Sequence, residues 1–66
     1  MRITVNDESR AVADGCTVAQ LLVVLQIPGT RAAVEVDRKL VRRADHAGHV
    51  LREGAVVEIV TLVGGG

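Results

Sequence analysis

Residues 17–29, TVAQLLVVLQIPG, decide the fold. Val18, Leu21, Leu22 and Leu25 recur at the spacing that gathers them on one side of a 3.6-residue repeat, which predicts a helix from Thr17 to Gln26. Thr17 followed three positions later by Gln20 is a capping-box pattern, in which each side chain satisfies an amide that the helix end leaves unpaired. Ile27-Pro28-Gly29 ends the helix, because the proline ring clashes with a preceding helical turn and glycine relaxes the chain afterwards. Val23 and Val24 widen the apolar stripe, which a short helix laid across a sheet can accept.

Strands flank this helix on both sides. Upstream, Ile3 and Val5 alternate with Arg2 and Thr4, the period-two pattern of a strand with one buried face. Asn6-Asp7 supplies residues that tolerate a tight turn, Glu8 to Ala13 returns as a second strand, and Asp14-Gly15 breaks it. Downstream, Ala32 to Val36 and Lys39 to Val41 read as short strands joined at Asp37-Arg38. Ala44 to Leu51 reads as a loop with a turn of helix, anchored by Val50 and Leu51, and Gly54-Ala55 as a further turn. Val56 to Val63, dominated by valine and isoleucine, is the strongest strand signal. One helix after a hairpin, covering one face of a small mixed sheet, buries these aliphatic faces economically. The expected fold is therefore α+β, a ubiquitin-like β-grasp, with residues 1–63 as the domain and 64–66 as a flexible glycine tail.

Composition narrows the function. A chain of 66 residues is one domain, and folding at that size hides only about 60% of the surface of the unfolded chain. There is little room for a deep catalytic pocket. Eight basic and eight acidic residues cancel, so no overall field draws the chain to nucleic acid or an anionic membrane. Phe, Trp and Tyr are absent, which removes the stacking platforms that single-stranded nucleic acid binders use. The lone Cys16 cannot form an internal disulfide, and no apolar stretch reaches the roughly 20 residues of a membrane span or has the form of a signal peptide. A cytoplasmic protein is expected.

Gly64-Gly65-Gly66 is the feature that most needs explaining, since glycine costs entropy when ordered and gives a strand nothing to pack. Such a tail can enter a channel too narrow for other residues and deliver the Gly66 α-carboxylate, which can attack the α-phosphorus of ATP in a partner's site to give an acyl-adenylate. A sulfur or nitrogen nucleophile can then displace AMP. A frayed terminus or leftover linker is the plainer alternative. The position of the glycines flush against the last strand, in a chain that begins with Met and otherwise makes one small domain, weighs toward function. If Val57 and Ile59 face the helix, Val60 and Leu62 face outward beside the tail, where a partner enzyme can hold the domain; isolated exposed aliphatics are the ordinary alternative.

Other candidates carry less. His46 and His49 are spaced for one side of a helical turn, with only Asp45 as a further ligand and Gly48 weakening the helix; solvated loop histidines are expected, and no metal site. Cys16, before the helix, reads as a buried small residue at the hairpin-to-helix corner rather than an activated thiol. Arg38-Lys39 and Arg42-Arg43, flanked by Asp37 and Asp45, read as a solvated face, or else as help in docking an acidic partner surface. No catalytic residues are expected within the chain.

Four segments together resemble the ThiS family of sulfur carriers in thiamine biosynthesis: Ile3-Thr4-Val5-Asn6; Gly15-Cys16-Thr17-Val18 leading into Leu21-Leu22; Ala33-Val34-Glu35-Val36; and Glu58-Ile59-Val60 through Val63-Gly64-Gly65-Gly66. Family members commonly have Asn at the place of Asp37, Pro at that of Arg42 and Asp at that of Ala55, departures that fall in turns. The resemblance implies a carrier without catalysis of its own. It also implies that a ThiF-type enzyme adenylates Gly66 with Mg-ATP, and that sulfur from a donor such as a cysteine desulfurase makes the thiocarboxylate. Thiazole synthase, ThiG, then takes the sulfur into the thiazole ring, with Gly64 and Gly65 as the threading tail and Val60 and Leu62 as the candidate docking surface read above from the tail and the strand alternation. Three alternatives stay open: a MoaD-like carrier for molybdopterin synthesis, a family usually longer and often with aromatic residues; a ubiquitin-like protein modifier; and a TGS-type interaction module.

Overall fold

The computed structural model describes residues 1–62. Strands β1 (Arg2–Val5) and β2 (Glu8–Ala11) form an antiparallel hairpin, with Arg2 opposite Ala11 and Val5 opposite Glu8. Asn6 and Asp7 both take left-handed backbone angles, at φ of 48° and 69°. A two-residue turn of this hand has the twist of the strands it joins. Helix α1 (Val18–Val24) follows, then β3 (Ala32–Val36), β4 (Lys39–Val41) and β5 (Val56–Thr61). The strand order is β2-β1-β5-β3-β4, with β5 parallel to β1 and antiparallel to β3. This five-stranded mixed sheet under one helix is the expected β-grasp.

The core lies between α1 and one sheet face. Val18, Leu21 and Leu22 of the helix meet Ile3, Val34, Val36, Val57 and Ile59 of the sheet, with Cys16, Val41, Leu51 and Ala55 closing the ends. Ala55 closes the expected turn, its amide donating to the Arg52 carbonyl at 3.0 Å, and its side chain is buried. Among the described residues no helix is long and apolar enough to cross a membrane.

The structure moves several boundaries. The expected second strand runs only to Ala11; Val12 and Met1 still exchange hydrogen bonds, and the chain then turns where the Cys16 amide donates to the Ala13 carbonyl at 3.1 Å. Thr17 caps the helix and forms the reciprocal capping box with Gln20. Its C-terminal stop lies before the proline, however. Gln26 takes φ of 60°, its amide donates to the Val23 carbonyl, and the Ile27 amide donates to the Leu22 carbonyl. These are the paired bonds of a Schellman ending, formed around glutamine instead of glycine. Gly29 opens a separate 3-10 turn, Gly29–Arg31.

Val23 and Val24 are exposed, so the buried stripe is not widened. Each helical step rotates about 100°, which carries both away from the face that Leu22 presents to the sheet. Val50 is exposed too, so of the two expected anchors only Leu51 is buried. The Val50 backbone bridges to Thr17, and in extended chain consecutive side chains point to opposite sides.

Candidate functional site at the end of the central strand

Strand β5 contains the candidate docking residue Val60 and leads into the others, and it is held from both sides. Along β3 the pairing runs from Val36 opposite Val57 to Ala32 opposite Thr61, and the Leu62 amide donates to the Arg31 carbonyl at 2.7 Å. Along β1 the ladder pairs Val5 with Val57, and then β1 turns away. Asn6 takes its place. The Ile59 amide donates to Asn6 Oδ1 at 2.7 Å, and Asn6 Nδ2 donates to the Ile59 carbonyl at 3.1 Å. One side-chain amide thus imitates a strand backbone and extends the ladder by a step.

The start of β5 is fixed in a similar way. The Asp37 carboxylate accepts from the Val56 amide at 3.0 Å, and the Asp37 amide donates to the Val56 carbonyl at 2.8 Å. Neither clamp was read from the sequence. The available signal was the residue type, since Asn and Asp at left-handed turn positions have polar side chains short enough to bond neighbouring backbone.

Alternation along β5 turns Val57 and Ile59 into the core and leaves Glu58 and Val60 on the uncovered sheet face. Val60 is 61% exposed and Leu62, just past the strand, 53%. Both sequence-predicted docking residues thus stand in solvent. Leu40 of β4, 67% exposed, was not singled out from the sequence. It pairs with Glu35, which in turn pairs with Glu58 on the same face. Gly64, Gly65 and Gly66, with Val63, lie outside the described residues.

The remaining candidates sort differently. His46 is not a solvated loop residue: it is 5% exposed, and its Nε2 lies 3.1 Å from the Val41 carbonyl. A 3-10 turn at Arg43–Asp45 carries it inward, and its own carbonyl accepts from the Ala19 amide. It fastens the loop to the helix and the edge strand. His49 is partly buried, and among the described residues no three His, Cys, Asp or Glu side chains are grouped to share a metal ion. Cys16 is buried in the hairpin-to-helix corner, as read. Arg38, Lys39, Arg42 and Arg43 are exposed, consistent with a solvated face. A groove of about 320 Å³ between the β1–β2 hairpin and the end of α1 includes Glu8, Ser9 and Arg10, with neither histidine nor cysteine in its lining.

Fold and strand geometry define a class: a small ubiquitin-like domain whose central strand runs out beside an exposed aliphatic patch. Within that class the chain belongs to the ThiS family, the sulfur carriers of thiamine biosynthesis, whose family model matches residues 2–66. ThiS proteins are carriers and generally not catalysts. The crystal structure of the thiamine biosynthesis protein ThiS from Geobacter metallireducens superposes with a TM-score of 0.85 at 28% identity, over the whole of both chains. The solution structure of a thiamine biosynthesis protein from the same organism gives 0.82 at 28% identity, covering all of this chain and 88% of that one. A curated relative, the thiazole synthase of Paramagnetospirillum magneticum, is 32% identical over 66 residues. The chain spans about a fifth of that relative's length. Family membership favours thiamine over molybdopterin among the pathways weighed from the sequence.

Proposed function

We propose that the chain is a cytoplasmic sulfur carrier whose C-terminal Gly66 is adenylated and then converted to a thiocarboxylate for thiazole ring formation. The observation that carries this reading is a match to the carrier family that extends through Gly66, on a chain whose last three residues are glycine. In the proposed cycle a carboxylate oxygen of Gly66 attacks the α-phosphorus of ATP held with Mg by a ThiF-type enzyme, and pyrophosphate leaves. A sulfur nucleophile, supplied ultimately by a donor such as a cysteine desulfurase, then displaces AMP from the activated carbonyl. Thiazole synthase receives the sulfur. The likeness to a protein named thiazole synthase supports that last partner.

Residues 1–63 serve recognition in this scheme, and Gly64 and Gly65 thread the tail into the partner's site. Glycine suits that task because a narrow channel can approach its backbone from every side. Val60 and Leu62 contribute to the surface that the partner grips. Deleting Gly66 is expected to abolish thiazole formation while leaving the thermal transition within about 2 °C, since the core of the described residues ends at Ile59. Intact-mass analysis after incubation with the activating enzyme, ATP and a sulfur donor supplies the direct test. The full chain should gain the mass difference of one sulfur for one oxygen on its C-terminal peptide. A branch to lysine on that peptide instead would make the chain a protein modifier, and equal thiazole formation by the deletion variant would refute the carrier role.

A further inference from the structure

The uncovered sheet face contains a conflict that its free form does not resolve. Glu35 and Glu58 are direct cross-strand partners in β3 and β5, both exposed on the face away from α1. Like charges placed opposite one another destabilise a sheet. Among the described residues the only ion pair within 4 Å joins the N-terminus to Asp14, so neither carboxylate is in contact with a cation. Around them stand exposed aliphatic side chains: Leu40 paired with Glu35, and Val56 and Val60 on either side of Glu58 along β5.

Chain length indicates what covers this face. Gly66 lies four residues beyond Leu62, a reach of about 14 Å at full extension. An enzyme that encloses the Gly66 carboxylate must therefore stand near Leu62 and Val60, at the tail end of the face whose Glu58 lies about 13 Å back along β5. A purely apolar partner surface would strip water from two unpaired carboxylates, which costs far more than the aliphatic contacts return. We infer that the outer face of β3, β4 and β5 docks on the adenylating enzyme through an arginine placed between Glu35 and Glu58 and ringed by apolar side chains. Arginine fits better than lysine because its planar fork donates to two carboxylates at once. The inference rests on the carrier reading and adds to it the chemistry of the partner's surface.

The test is the double variant Glu35→Gln/Glu58→Gln of the full chain, assayed by pyrophosphate release with the adenylating enzyme of the same organism. KM for the chain should rise at least tenfold with kcat unchanged, the pattern of lost binding common to ground and transition states. Raising NaCl from 50 to 500 mM should raise KM for the unaltered chain more steeply than for the variant. The free variant should melt no lower than the unaltered chain, since the repulsion is gone; either single substitution should give an intermediate KM. An unchanged or lower KM overturns the inference alone, because removing unpaired carboxylates helps docking on an apolar or absent counter-surface. If the unaltered chain releases no pyrophosphate, the carrier reading falls and this inference falls with it.

Discussion

Among the described residues, five other than glycine sit at positive φ: Asn6, Asp7, Gln26, Asp37 and Arg38. Asn and Asp tolerate that region because their short polar side chains can bond locally, whereas a long side chain gains nothing there in return for the steric cost. Arg38, at φ of 70°, occupies the second position of the β3–β4 turn, the place where such turns favour glycine. It enters no ion pair among the described residues that would offset the cost. Arg38→Gly should therefore stabilise the domain by about 0.5–1 kcal/mol, read as a higher urea midpoint with unchanged slope. A lower midpoint would mean that Arg38 makes a compensating contact. Asp37 beside it has a different status, since its carboxylate holds the Val56 amide and its replacement would loosen the start of β5.

At the scale of elements, the clamp of Asn6 on Ile59 is the feature on which the end of β5 depends. Asn6→Gly keeps a residue at ease with φ of 48° but removes both side-chain bonds, so it separates the turn from the clamp. The expected cost is about 1–3 kcal/mol, because two part-buried backbone groups lose their partner. Hydrogen exchange should quicken most at the Ile59 amide and less at Val57, whose pairing with β1 remains. Equal acceleration at both would assign the effect to the turn instead. These elements also show what the sequence disclosed and what it withheld. Period-two alternation exposed the strands, and the pair Thr17 and Gln20 marked the helix start because both partners of the cap lie within four residues. The same alternation put Val60 and Leu62 outside. Long-range bonds left no such trace: Asn6 reaches Ile59 across 53 positions, and His46 is buried by contacts with Val41 and α1 that local spacing does not encode. The helix end was misplaced because Pro28 and Gly29 are strong local stops, while the Schellman bonds closed around Gln26 first.

For the whole molecule, the decisive quantity is how little stability the aliphatic core of a 66-residue chain provides. Domains of this length are expected to hold about 3–10 kcal/mol in all. Leu21 is fully buried and joins α1 to the sheet, so truncating it removes packing that nothing else supplies. Leu21→Ala should cost about 2–5 kcal/mol, a large share of the total. At about 4–8 °C per kcal/mol for a domain this small, the midpoint should fall by about 8 °C or more. Far-UV circular dichroism is the appropriate probe, because a chain without Phe, Trp or Tyr has no useful intrinsic fluorescence. A partner that binds only the folded domain adds stability in proportion to the logarithm of its concentration over Kd. Saturating adenylating enzyme should therefore protect the Leu21→Ala variant from proteolysis, whereas free variant is cut at 37 °C. A variant that melts within 3 °C of the unaltered chain would mean that α1 contributes little to the fold, and the assignment of the core to the helix–sheet interface would fail.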